Sequence, residues 1–117
     1  MATHGTNGDD KITGNPWLPF GWGDDVIFGH GGNDWIDGRG GDDTLIGGTG
    51  DDTLIGGGGS DTAVFQGDLA DFDIVWLGGT DLEVTDIAGG GQGTDSLTQI
   101  EFLQFDDQTV DAADYFF

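Results

Sequence analysis

The chain contains no cysteine, which excludes disulfides and thiolate metal sites and leaves the redox compartment unreadable from this residue. Basic residues are almost absent too. Lys11 and Arg39 stand against 23 acidic residues, for a formal net charge of −21. A surface of that sign repels nucleic acid and anionic membranes, both polyanions, and attracts cations. No segment approaches the roughly 20 apolar residues of a membrane span. The first ten residues, MATHGTNGDD, lack the basic and apolar stretches of a secretory signal. No cleavable signal peptide is therefore expected, and export would need another route. A length of 117 residues suits one domain spanning 1–117, expected to be a monomer.

What the chain has in excess is glycine, 25 of 117 residues. High charge with a 35% hydrophobic fraction lies close to the disordered class, but the placement of residues argues against simple disorder. Six blocks of nine align: 5–13 (GTNGDDKIT), 20–28 (FGWGDDVIF), 29–37 (GHGGNDWID), 38–46 (GRGGDDTLI), 47–55 (GGTGDDTLI) and 56–64 (GGGGSDTAV). The first is set apart by a six-residue insertion, 14–19 (GNPWLP). Position four is always Gly (Gly8, Gly23, Gly32, Gly41, Gly50, Gly59), and position six is always Asp (Asp10, Asp25, Asp34, Asp43, Asp52, Asp61). Position eight is always apolar (Ile12, Ile27, Ile36, Leu45, Leu54, Ala63), and position five is short and polar. A low-complexity tract would not hold these classes in fixed phase.

Glycines at positions one to four permit the positive φ values of a tight turn. Positions seven to nine favour a short strand with its middle side chain inward. Two blocks make one coil with a strand in each of two sheets, and stacked coils bring equivalent positions about 4.8 Å apart. Position-six carboxylates of blocks n and n+2 then nearly superpose. They repel by about 1 kcal/mol in water and by several near a low-dielectric surface. One apolar side chain per nine residues recovers only part of the entropy lost on ordering the block. A divalent cation between stacked turns supplies the missing stabilisation, by neutralising carboxylates and collecting turn carbonyls. The ligands on offer are hard oxygens, and His4 and His30 read as isolated. Such oxygens on flexible glycine turns suit Ca²⁺, at about 2.3 to 2.6 Å, better than the rigid octahedron of Mg²⁺.

These blocks resemble the nonapeptide GGxGxDxUx of the repeats-in-toxin, or hemolysin-type, calcium-binding family, most closely at 38–46 and 47–55. The resemblance implies an all-β, right-handed parallel β-roll (a β-solenoid) that binds three to four Ca²⁺ ions or more between its turns. It also implies a ligand pattern. One turn gives carbonyls two and four and its Asp; the turn one coil later gives carbonyls one and three and its Asp. One site would then use Gly21, Gly23 and Asp25 with Gly38, Gly40 and Asp43. A second would use His30, Gly32 and Asp34 with Gly47, Thr49 and Asp52. A third would use Arg39, Gly41 and Asp43 with Gly56, Gly58 and Asp61. A fourth, Thr6, Gly8 and Asp10 with Gly29, Gly31 and Asp34, is interrupted by the insertion. Thr6, His30 and Arg39 stand where the family prefers glycine, but only their carbonyls are asked for.

Beyond residue 64 the phase ends, and 65–117 reads as a capping region. Residues 72–77 and 82–87 form a β-hairpin, 89–95 a long glycine turn, and 97–105 (LTQIEFLQF) an apolar segment that resembles the one closing many family rolls. An open roll end exposes strand edges, so an antiparallel β cap is expected. Asp86 and Asp95 read as turn formers more readily than as ligands of an extra Ca²⁺. The ending Asp114-Tyr115-Phe116-Phe117 resembles the C-terminal signal of type I secreted proteins, which points to the type I secretion apparatus and the extracellular space; the plainer reading is a final strand packed on the cap. Trp17, Trp22, Trp35 and Trp76 read mainly as end-capping hydrophobes, with a polysaccharide-binding face as the alternative. No nucleophile–base constellation is visible, so no catalysis is expected. The expected function is a calcium-binding module that folds on Ca²⁺ binding after secretion and stabilises the C-terminal end of an extracellular protein.

Overall fold

The structure, a computed structural model, describes residues 2–13 and 24–116. Each described repeat yields a three-residue strand at positions seven to nine: β2 (Lys11–Thr13), β3 (Val26–Phe28), β4 (Trp35–Asp37), β5 (Thr44–Ile46), β6 (Thr53–Ile55) and β7 (Thr62–Val64). A further strand, β1 (Ala2–His4), precedes them. Strands two blocks apart pair in parallel with an offset of 18 residues, as in Val26↔Thr44 and Trp35↔Thr53. The insertion lengthens that offset to 24 at Lys11↔Trp35 without breaking the register. The chain is thus an all-β parallel β-roll.

Its two sheets are ordered β1-β3-β5-β7-β11-β12 and β2-β4-β6-β10-β9-β8. The later strands are β8 (Phe72–Gly78), β9 (Asp81–Asp86), β10 (Thr94–Thr98), β11 (Phe102–Gln104) and β12 (Thr109–Asp111). β8 and β9 form the expected antiparallel hairpin, with a register shift between Trp76 and Gly78. The 97–105 segment behaves differently from a simple cap. It divides into β10, parallel to β6, and β11, parallel to β7, so the parallel ladder runs one coil past residue 64. Antiparallel closure comes from β9 on β10 and β12 on β11.

The core is two columns of position-eight side chains. Ile12, Ile36, Leu54 and Leu97 line one sheet; Ile27, Leu45, Ala63 and Leu103 line the other, and all are buried. The flanking positions seven and nine are half-buried, as a period of two requires. At the closed end Phe65, Phe72 and Phe105 cluster with ring centroids 5.2 to 5.4 Å apart. The chain finishes in a 3₁₀ turn, Ala112–Tyr115, rather than a strand, with Tyr115 and Phe116 packed against the core. No helix among the described residues is long and apolar enough to cross a membrane.

Candidate metal centre

The turns stack along the two edges of the roll. One edge holds 5–10, 29–34 and 47–52; the other holds 38–43 and 56–61 above the turn that ends at Asp25. Positions two and four of the regular turns have positive φ, as at Gly48 (84°) and Gly50 (96°). A Cβ at Gly48 would collide with the His30 carbonyl beneath it, and one at Gly50 with the Gly32 carbonyl, so both conformation and space demand glycine there. His30 (70°) and Arg39 (68°) hold the same backbone conformation without being glycine, at a cost on the order of 1 kcal/mol each.

Position-six aspartates meet as the eighteen-residue coil requires, and all from Asp25 to Asp61 are at least 95% buried. Each main-chain N–H donates to Oδ1 of the aspartate one coil later: Asp25 to Asp43, Asp34 to Asp52 (both 2.8 Å) and Asp43 to Asp61 (2.9 Å). The interrupted pair joins them, with Asp10 N–H donating to Asp34 Oδ1 at 2.8 Å. The second oxygens differ. Oδ2 of Asp34, Asp43, Asp52 and Asp61 is buried with no hydrogen-bond partner. Each lies over the first glycine of its own turn (Gly29, Gly38, Gly47, Gly56), where a Cβ would strike it.

A row of buried, half-satisfied carboxylates is costly. Burial, and then the charge of the stacked neighbour, pushes the carboxyl up to about 6 at Asp43, about 7 at Asp52 and about 8 at Asp61, and raises Asp34, while the N–H of the coil below opposes the shift. His30 offsets part of the shift at Asp34, while Lys11 Nζ sits 5.0 Å from the centroid of the Trp35 ring. A hard divalent cation fits this chemistry. Among the described residues no three His, Asp or Glu side chains converge. Each pair of turns contributes two carboxylates, so main-chain carbonyls must complete any shell, in the way calcium tolerates.

The expected ligand sets fall into three groups. His30, Gly32 and Asp34 stack with Gly47, Thr49 and Asp52, and Arg39, Gly41 and Asp43 with Gly56, Gly58 and Asp61. In the set with Gly38, Gly40 and Asp43, Asp25 is in place, while Gly21 and Gly23 lie outside the described residues, as do Trp17, Trp22 and the 14–19 insertion. The set of Thr6, Gly8 and Asp10 with Gly29, Gly31 and Asp34 is built differently. Neither Thr6 nor Gly8 has positive φ, and Thr6 donates its N–H (2.6 Å) and directs its hydroxyl (3.1 Å) onto the Asp10 carboxylate.

Two features were not anticipated, and a third, Asp95, had read first as a turn former. Position five forms a second ladder running the opposite way: Asp9, Asp24, Asn33 and Asp42 each accept, through Oδ1, the N–H of the position-five residue one coil later, at 2.7 to 2.8 Å. Its signal was the short acceptor side chain in every block. Glu101 closes one aspartate column by accepting Asp61 N–H at 2.8 Å, from a turn of three residues rather than six. Asp95 closes the other by accepting Asp52 N–H at 2.8 Å; it is buried, with its carboxyl pushed up to about 8 by burial and by Asp52. The signal for Asp95 was in plain view, because 90–98 reads GGQGTDSLT, a seventh nonapeptide. The histidines also depart from expectation. His4 Nδ1 and His30 Nε2 lie 2.9 Å apart, stacked beside Phe28.

Stacked glycine turns with buried, under-coordinated carboxylates define the class: a calcium-binding β-roll module. The comparisons agree. Residues 4–16, 21–54 and 37–64 match the RTX calcium-binding nonapeptide repeat (4 copies), and the repeat region of the chain belongs to that family, a calcium-binding and non-catalytic module. Among solved structures the chain is similar to the extracellular lipase LipA from Serratia marcescens, with a TM-score of 0.62 and 25% identity over 90% of this chain. It spans 14% of the length of that lipase. No curated protein matches the chain.

Proposed function

We propose that this chain is a secreted folding module, expanded at low calcium and closed into its roll by Ca²⁺ outside the cell. The observation that carries this reading is the row of buried, unpartnered Oδ2 atoms on Asp34, Asp43, Asp52 and Asp61. Three ions are proposed for the aspartate pairs one coil apart: Asp25 with Asp43, Asp34 with Asp52, and Asp43 with Asp61. The Asp10–Asp34 pair, lacking the positive-φ turn, is a weaker fourth. The ion's chemistry here is charge neutralisation and oxygen coordination. The chain's own part is to hold carboxylates and carbonyls on glycine turns at the coil spacing. Binding free energy is then folding free energy, and a net charge of −21 keeps the metal-free chain open.

A module that folds only in millimolar external calcium suits export in an unfolded state. That favours the type I secretion apparatus and a place at the C-terminal end of a larger extracellular protein, as a single non-catalytic domain. Polysaccharide binding is the weaker reading, because Trp35 is half-buried and Lys11 lies over its ring. Far-UV circular dichroism during a Ca²⁺ titration, with Mg²⁺ in parallel, tests the proposal. Coil should convert to β with Ca²⁺ alone. A chelated sample that is already compact and β-rich would overturn it.

A further inference from the structure

The family match ends at residue 64, but the turn at 90–95 repeats the same geometry. Gly91 (85°) and Gly93 (67°) occupy the positive-φ places of Gly48 and Gly50 in the turn beneath. β10 pairs in step with β6, placing Leu97 on Leu54. Both side-chain ladders continue across the junction: Asp52 N–H donates to Asp95 Oδ1, and Thr94 N–H to Asp51 Oδ1, each at 2.8 Å. Asp52 and Asp95 are each 2% exposed, and Asp52 Oδ2 has no partner. Two buried carboxylates one coil apart call for a cation between them.

The first half of this turn differs from the others. A carboxylate oxygen still lies over its first glycine, 2.8 Å from where a Cβ would stand on Gly90, but it belongs to Asp86 and not to the turn's own aspartate. Asp86 also accepts the N–H groups of Ala88 (3.0 Å) and Gln92 (3.2 Å), which fixes the turn to the end of β9. The Gln92 side chain accepts Gln66 N–H at 2.9 Å and donates back to the Gln66 carbonyl. The turn therefore holds both the exit of the repeats and the end of the hairpin.

We propose that the turn 90–95 binds a further Ca²⁺ against the turn 47–52, between the carboxylates of Asp52 and Asp95, with main-chain carbonyls completing the shell. This rests on the calcium reading above and extends it to the cap. The ion clamps the β8–β9 hairpin to the roll and makes the cap's order depend on calcium as well.

Metal analysis of protein dialysed against saturating Ca²⁺ tests it, with hydrogen exchange as the second readout. Asp95→Asn should lose one ion from the wild-type count. Amides of 72–86 should lose at least tenfold in protection, while those of β3 and β5 keep theirs. A full count in folded Asp95→Asn would overturn the proposal and leave the calcium reading standing. A wild type that takes up no calcium would overturn both. Should the variant fail to fold, wild-type crystals grown with Tb³⁺ decide. An anomalous peak between Asp52 and Asp95 is expected, and peaks confined to the other turns would refute the site.

Discussion

The repeat roll and the hairpin that closes it bury different kinds of atoms. In the roll, each block from 29 to 64 contributes one apolar side chain and one carboxylate to the interior, and the Oδ2 atoms of those carboxylates have no hydrogen-bond partner. At the closed end the interior is apolar: Phe65, Phe72 and Phe105 in mutual contact, with Leu82 and Val84 of β9 buried beside them. On the proposed reading the roll is completed by calcium, and the cap is held chiefly by packing. Backbone pairing alone does not hold three-residue strands, since each adds few bonds for the residues it orders.

Chelation should separate the two regions most sharply. With calcium withdrawn, amides of β3 to β7 should lose nearly all exchange protection, whereas residual order should be confined to the aromatic cluster; uniform loss or uniform retention would erase the distinction. Acidification should act on the roll in the opposite direction. The aspartates have folded values raised from 3.8 to about 6 to 8, so between those limits the folded metal-free chain binds more protons than the unfolded one, and its stability falls as pH rises. Chelated protein should therefore gain β signal as pH is lowered from 8 towards 4, readable by circular dichroism. In the cap, Phe72→Ala should lower the stability of calcium-loaded protein by about 3 to 5 kcal/mol in urea denaturation. In the roll, Asp43→Asn touches two turn pairs at once, and a calorimetric calcium titration should show two ions weakened, by about tenfold, or roughly 1.4 kcal/mol each. The smallest effect is a gain. Arg39→Gly relieves a positive φ and should raise the melting stability of the loaded protein by up to about 1 kcal/mol.

How much of this was legible in the sequence follows from range. The fixed places of Gly50, Asp52 and Leu54 within their block reveal a turn, a carboxylate and an inward side chain, because all three are set by local geometry and period. The coil of two blocks, and with it the Asp34–Asp52 and Asp43–Asp61 stacks, follows from the eighteen-residue spacing. Asp95 read as a turn former rather than a ligand because the hairpin resets the phase, although its block is a full match. Glu101 escaped because its turn is three residues short and no spacing points to it. The position-five ladder was hidden for another reason: its acceptor side chains are visible in sequence, but their donors are main-chain N–H groups, which carry no residue identity.

The two opposed ladders have a consequence for the length of such a protein. Every interior turn both gives and receives the same pair of hydrogen bonds, so no turn is matched to a particular neighbour. A coil could be duplicated or struck out without redesigning those beside it, and extra chain could be spliced between coils, as at 14–19 and 65–89, provided it returns in step. Only the turns at the ends of the two edges need differ, and there Thr6 and Glu101 replace the standard parts.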